Sequence, residues 1–303
     1  MQKFDRFIIS HWDADGVICV ALAYKKFGDN FYTLFTSPFL LKSALTRIIM
    51  RNENLEELYI FDLSGNKVTL SLVSCFKKCI WIDHHVWNEK SFPKNVKVKV
   101  KKEKSCARVV ADFFDIESKF VEIADQIDTN SIKSQLANLL RDYIAAIKWK
   151  YKGMSLTINN LLRQLARVIA NDEFGFFINS SQNQRLIKSF QRNIEKIESE
   201  LFDHITVEEI NKMKVCFIEL RKFIPAYRIF NFLKINLETN FDLVVIMYKR
   251  NGKTKIEFRT MKNLDVHKIA SFLGGGGHVS ASGASLKADI KIDELIETIK
   301  KIY

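Results

Sequence analysis

A chain of 303 residues, 47% of them hydrophobic, is long enough to bury sizeable cores, and its length suggests two domains rather than one. Lysine and arginine outnumber aspartate and glutamate by 47 to 35, a formal charge of +12 that favours a polyanionic partner. No apolar run approaches the ~20 residues of a membrane span, and Asp5 and Arg6 interrupt any signal peptide at the start. The five cysteines (Cys19, Cys75, Cys79, Cys106, Cys216) form no C-x-x-C pair and mostly sit among apolar residues, which argues against a disulfide framework or a zinc site. The expectation is a soluble, cytoplasmic protein with no membrane association.

Phe7-Ile8-Ile9 reads as a short strand, and Ser10-His11-Trp12-Asp13-Ala14-Asp15-Gly16 leads from it into a helical run from Val17 to Phe27. His11, Asp13 and Asp15 alternate, so in an extended turn they point the same way. Gly16 admits a tight entry into the helix. Two close carboxylates repel, and a divalent cation relieves that cost; the other reading is a helix N-terminus decorated with acids, which the helix dipole favours. Segment 38–54 reads as helical. Tyr59-Ile60-Phe61-Asp62-Leu63-Ser64-Gly65 repeats the pattern of apolar strand, acid and turn. Cys79-Ile80-Trp81-Ile82, continuous, β-branched and aromatic, ends abruptly in Asp83-His84-His85. Strands alternating with helices imply βαβ units and a parallel sheet, in which ligands bind beyond the carboxyl ends of the strands. Aspartate offers a hard oxygen and histidine a borderline nitrogen, a donor set suited to an Mn²⁺-like ion.

The stretch Lys94 to Lys104 alternates strictly from Val96 to Val100 and reads as an edge strand whose lysine row is either a gatekeeper against edge pairing or a phosphate-facing patch. Ser105 caps a helix from Cys106 to Phe114. A second helical run, Phe120 to Ile127, brings Asp125 and Asp128 to one face, as further ligands or as a solvated surface. Residues 131–212 carry no nameable chemistry. Within them Leu186, Phe190, Ile194, Ile197, Leu201 and Ile205 step by three and four, predicting an amphipathic connecting helix, with a coiled-coil dimer contact as the alternative.

From Val215 the pattern changes. Val215 to Leu220 and Phe241 to Tyr248 read as strands, Ala226 to Lys234 as helix, and Lys249 to Lys253 as a hairpin turn into Lys255 to Thr260. A helix from Leu264 to Phe272 then runs into Leu273-Gly-Gly-Gly-Gly-His278-Val-Ser-Ala-Ser-Gly283. Consecutive glycines let backbone amides approach an anion, and a bare glycine run also suits a flexible linker.

His-x-Asp-x-Asp-Gly at 11–16, Asp62, Asp83-His84-His85 and a later helical acid occur in the order of the DHH phosphoesterase superfamily, which includes RecJ-like single-strand exonucleases, nanoRNases, dinucleotide phosphodiesterases and Mn²⁺-dependent pyrophosphatases. The C-terminal region resembles the DHHA1 domain: Gly275-Gly276-Gly277-His278 followed by Ala281 and Gly283, a strand-end Arg259, and Asp265 to Ala270 opening a helix. Serine replaces alanine at 280 and 282, a small departure. The resemblance implies an α/β fold with an N-terminal parallel-sheet DHH lobe (1–185), a helical linker (186–214) and a smaller α/β DHHA1 lobe (215–303), the active site lying in the interlobe cleft. It implies two Mn²⁺ ions, with Mg²⁺ as the alternative, held by His11, Asp13, Asp15, Asp62, Asp83, His84 and Asp125, Asp128 being the further candidate. Asp83, His84 and His85 are the implied catalytic residues, and Arg259, Gly275, Gly276, Gly277 and His278 the phosphate contacts. The implied activity is end-on hydrolysis of single-stranded DNA or RNA, favoured by the basic charge, with a nanoRNase or dinucleotide phosphodiesterase as the alternative and a non-catalytic replication protein as a third reading. Docking on a helicase or replication protein fits the same pattern.

Overall fold

The computed structural model describes residues 4–52, 54–87, 89–237, 241–260, 262 and 264–303; position 53, inside the segment expected to be helical, lies outside them. The chain divides into two compact units, Met1–Phe190 and Gln191–Tyr303. No described helix is long and apolar enough to cross a membrane.

The first unit contains β1 (Arg6–His11), α1 (Ala14–Phe27), β2 (Tyr32–Thr36), α2 (Leu41–Arg51), β3 (Glu57–Phe61), α3 (Lys67–Val73), β4 (Lys78–Asp83) and β5 (Val96–Val100). It then turns helical, with α4 (Cys106–Phe114), α5 (Lys119–Asp128), α6 (Gln135–Lys150), α7 (Ser155–Ala170) and α8 (Phe174–Ile178). Its five strands are parallel, in the order β2-β1-β3-β4-β5. The apolar strands are continuous runs because both faces of the sheet are covered, and alternate side chains feed opposite cores. Ile8, Tyr59, Phe61, Ile80 and Ile82 pack with α1 and α4 to α7. Phe7, Ile9, Leu58, Ile60, Cys79 and Trp81 pack on the other face with α2 and α3.

Two differences from the sequence reading matter for the site. β2 carries no strong strand signal, being only five residues long before Ser37-Pro38. Because it pairs outside β1, the chain order reverses between β1 and β3, and such a switch point opens a crevice at the carboxyl ends of those strands. β5 closes the sheet as an edge, and its Lys97 and Lys99 ammoniums lie 5.8 and 5.3 Å from the centroid of Phe113 on α4. The lysine row therefore faces that helix.

α9 (Ser181–Glu198) ends before the predicted helix does. Leu201–His204 is a 3-10 turn, and Ile205 opens β6 (Ile205–Ile210), paired with β7 (Met213–Leu220). Tertiary pairing overrides the helical spacing there, so residues 186–214 hold a strand as well as a helix. The second unit continues with α10 (Ala226–Asn236), β8 (Leu243–Arg250), β9 (Lys253–Thr260), α11 (Val266–Phe272), β10 (Gly276–Gly277), β11 (Ala281–Leu286) and α12 (Ile292–Ile302). The sheet order is β10-β11-β9-β8-β7-β6, parallel between β7 and β8 and antiparallel elsewhere. Asn251 and Gly252, at φ 52° and 67°, make the two-residue hairpin turn that the Asn-Gly pair predicts. Val215, Phe217, Val245, Met247 and Phe258 pack beneath α11 and α12.

Candidate metal centre

The carboxyl ends of β1, β3 and β4 deliver their polar residues to one place. β1 ends at His11, and Asp13 caps α1 by accepting the Gly16 amide at 3.0 Å. Asp15 falls in the first turn of α1, so His11, Asp13 and Asp15 are not an extended run pointing one way, as their alternation suggested; they separate into two groups. Gly16 is required by a close approach: a Cβ there would overlap the His11 carbonyl oxygen. Asp62, immediately after β3, adopts φ 58°, a left-handed conformation that aspartate and asparagine take more readily than other non-glycine residues. Here the Asp62 amide donates to the Ile82 carbonyl at 3.1 Å.

Within the first unit, three sets of donor atoms each lie within 4.8 Å of one another: His11, Asp13 and Asp62; Asp15, His84 and Asp128; and Asp62, Asp83 and His85. Asp62 is the junction. Its Oδ2 lies 3.4 Å from His11 Nδ1, and its Oδ1 lies 3.4 Å from His84 Nε2 and 3.8 Å from His85 Nδ1. His84 Nε2 also stands 3.6 Å from Asp15 and 3.7 Å from Asp128. The other nitrogen of His84 donates to the Glu103 carbonyl at 3.3 Å, which turns Nε2 toward the carboxylates.

The acid that α5 brings to the cluster is Asp128. Asp125, expected as the ligand, accepts from Ser105 Oγ at 2.6 Å and from Arg108 through Nε at 2.9 Å and through Nη2. Its oxygens are thus spent tying α5 to α4, and it lies outside the three groups. Asp83 is also heavily engaged. One oxygen accepts the His84 amide at 2.8 Å and faces His85 Nδ1 at 2.6 Å; the other accepts Ser64 Oγ at 3.1 Å and Trp87 Nε1 at 2.6 Å. Asp83 is fully buried. Its contacts suit a residue that fixes His85 more than one that gives its lone pairs to an ion.

Several residues that build this centre went unread in the sequence. The amides of Cys106 and Ala107, at the start of α4, donate to the two Asp15 oxygens at 2.7 and 2.8 Å. Trp87 packs edge-on against Trp81 at 5.1 Å, above Gly65. The one available signal for α4 was its Ser105 cap, and for Trp87 its place four residues after Asp83.

The electrostatics fit a divalent cation. Burial opposes a charged His11, but Asp13 and Asp62 overcome it and hold the imidazole at about 10. Burial likewise works against a charged His84, yet Asp62, Asp15 and Asp128 hold it up at about 10. Burial and then the neighbouring Asp62 raise Asp15 well above the usual carboxylate range. Burial pushes Asp128 up to about 7, with Asp62 and Asp13 adding to it. Buried carboxylates so crowded are costly without a compensating charge, and carboxylate oxygens with imidazole nitrogens are a donor set that can hold a divalent metal ion.

In the second unit, Gly276 and Gly277 pair with Gly283 and Ser282. A Cβ on Gly275 would overlap the Gly283 carbonyl, and one on Gly277, at φ 136°, would lie 2.7 Å from the Ala281 oxygen. Close strand packing therefore demands these glycines, so the run is no flexible linker. Arg259 lies beside them, donating to the carbonyls of Phe258 at 3.0 Å and Ser282 at 3.4 Å and pairing with Glu257 at 3.1 Å. The His278 amide donates to the Ala281 carbonyl at 2.8 Å, and the His278 carbonyl accepts from Ser282 Oγ at 2.6 Å.

Residues 214–303 match the DHHA1 domain. The chain is 22% identical over 308 residues to oligoribonuclease NrnB of Bacillus subtilis (strain 168), an alignment covering 93% of this chain and 73% of that protein. Its fold is similar to that of PggH, a pGpG-specific phosphodiesterase from Vibrio cholerae, at a TM-score of 0.58 and 14% identity over 99% of this chain and 100% of that one. It is similar also to RecJ of Thermus thermophilus, crystallised with Mn²⁺, at a TM-score of 0.56 and 13% identity over 98% of this chain and 51% of that one. The chain thus carries a DHHA1 match over 214–303, and the ordered motifs at 11–16, 62 and 83–85 on the parallel sheet before it resemble those of the DHH phosphoesterases.

Proposed function

We propose that this protein is a metal-dependent phosphodiesterase that hydrolyses short oligoribonucleotides and linear dinucleotides. The observation that carries the reading is the convergence of His11, Asp13, Asp15, Asp62, His84 and Asp128 at the switch point of the parallel sheet, with Asp62 in the first group and its Oδ1 3.4 Å from His84 of the second. The likeness to an oligoribonuclease over 93% of the chain supports a short substrate. So does the full-length likeness to a dinucleotide phosphodiesterase, whereas this chain spans only 51% of RecJ. The balance therefore shifts from the long-strand exonuclease, implied by the resemblance and favoured by the basic charge, to the nanoRNase alternative.

His11, Asp13 and Asp62 would hold one ion and Asp15, His84, Asp128 and Asp62 a second, with Mn²⁺ as the first candidate and Mg²⁺ as the next. Bound divalent ions supply a water of lowered pKa and charge for the phosphoryl oxygens. Asp83 holds the His85 ring by Nδ1 and turns Nε2 away from itself. Burial opposes protonation of His85, but Asp83 outweighs it and raises its pKa, so His85 serves as a donor to a phosphoryl or leaving oxygen. Arg259, His278 and the amides of Gly276 and Gly277 are our assignment for a terminal phosphate; the Gly275 amide, also expected there, is committed to the Ala270 carbonyl at 2.7 Å.

The test is mononucleotide release from labelled RNA and DNA of two, three, five and about twenty nucleotides in Mn²⁺, Mg²⁺ or EDTA. We expect kcat/KM to fall at least about tenfold from trimer to 20-mer, with no cleavage in EDTA. A ladder on the 20-mer as fast as on the dimer restores the exonuclease reading. An absence of cleavage in every metal removes the enzyme.

A further inference from the structure

The middle helices, silent in the sequence, touch the centre at its rim. Trp12 lies between two donors, His11 and Asp13; its amide donates to Thr36 O at 3.1 Å, and its partly exposed indole packs on the helical core. Lys148, near the end of α6, places its ammonium 5.3 Å from the Trp12 centroid. Seven residues back on α6, Arg141 donates to Asn130 Oδ1 and Asn138 Oδ1, each at 3.0 Å, and Asn130 follows Asp128 by two positions. Arg141, Ala145 and Lys148 are half-buried and share one stripe of the helix. The stripe is cationic at both ends, next to segments that carry donors from different groups.

We propose that Trp12, Lys148 and Arg141 form a nucleotide subsite beside the metal centre, with a base stacked on the indole and the flanking phosphates met by the two cations. The inference rests on the phosphodiesterase reading above and names where its substrate's second nucleotide lies. An aromatic face beside a cation is the ordinary means of holding an unpaired base, since every base has a π-face. Stacking a base is worth more than an exposed cation–π contact. The Lys148 ammonium at the ring is placed to meet a phosphate of a base stacked there.

The experiment compares wild type, Trp12→Ala, Trp12→Phe, Lys148→Gln and Lys148→Arg on a linear diadenylate and on bis(p-nitrophenyl) phosphate, which carries neither base nor second nucleotide. Binding of a phosphorothioate diadenylate by the same proteins without metal is measured alongside. Trp12→Ala should raise KM for the dinucleotide roughly tenfold, and its loss in kcat/KM should be far smaller on the nitrophenyl ester. Lys148→Gln should raise KM several-fold, and Trp12→Phe and Lys148→Arg should recover most of the affinity. Equal losses on both substrates, or a wild-type dissociation constant for the phosphorothioate in Trp12→Ala, would overturn the subsite. Phosphorothioate binding that depends on Trp12, in a protein that cleaves nothing, would uphold the subsite while the catalytic reading falls.

Discussion

The donors around Asp62 are held in two different ways. Asp15 and His84 are almost wholly buried, the first gripped by two α4 amides and the second by a backbone carbonyl. His11 and Asp13 are more open, 22% and 38% exposed; they face each other at 2.7 Å, and Asp13 is held by one backbone amide, that of Gly16. The inner group is thus both buried and held by three backbone groups at and just before α4, while the outer one is part-exposed with a single backbone contact. The inner ion should therefore bind tightly and the outer one exchange.

Replacing the shared residue should have the largest effect. Asp62→Asn keeps a side chain that tolerates the left-handed turn but loses the charge common to both groups. Activity should fall about a thousandfold and both binding steps should weaken in calorimetry. Next comes the pair that separates the groups. Asp128→Asn should abolish the tight step and Asp13→Asn the weak one, each lowering kcat/KM about a hundredfold. Loss of the same step in both variants would break the distinction.

Asp125→Asn should keep both ions and instead cost about 2 kcal/mol of stability, because Arg108 and Ser105 lose a charged partner at a helix–helix contact. If one ion disappears, Asp125 is a ligand as the sequence first suggested.

The last prediction concerns the pH dependence of the metal-stripped protein. His11 and His84 are held up at about 10 from 6.5, so the stability they lend is whole below 6.5 and is lost as pH rises to 10. Asp128, pushed up from 3.8 to about 7, keeps a proton that the unfolded chain gives up, so its contribution declines over that interval. Both act in one direction. Thermal stability without metal should fall as pH rises from about 4 to 10, and Mn²⁺ should raise Tm more at about pH 8 than at about pH 5, because the donors bind it deprotonated.

The strands that carry the donors were legible because a sheet buried on both faces leaves continuous apolar runs, and an acid ending such a run stands out. β2 was not legible: five residues of ordinary composition become a strand only by pairing with β1. Nor could spacing separate Asp125 from Asp128. Both lie on one face of α5, and the choice was made by Arg108 and Ser105 across a helix contact that no local pattern reports. The stripe on α6 escaped for the same reason, since Lys148 gains meaning only when folding sets it over Trp12.

The backbone at Asp62 narrows what the position can become over evolutionary time. A left-handed φ of 58° admits glycine, asparagine and aspartate readily and most other residues poorly. Of these three only aspartate offers a carboxylate, so turn geometry and ligand chemistry select the same amino acid. A descendant that abandoned catalysis would drift there toward asparagine or glycine, and seldom toward valine or isoleucine. Homologues with asparagine or glycine at this position, set among otherwise similar strands, would thus be recognisable from sequence as lineages that had given up the reaction and kept the fold.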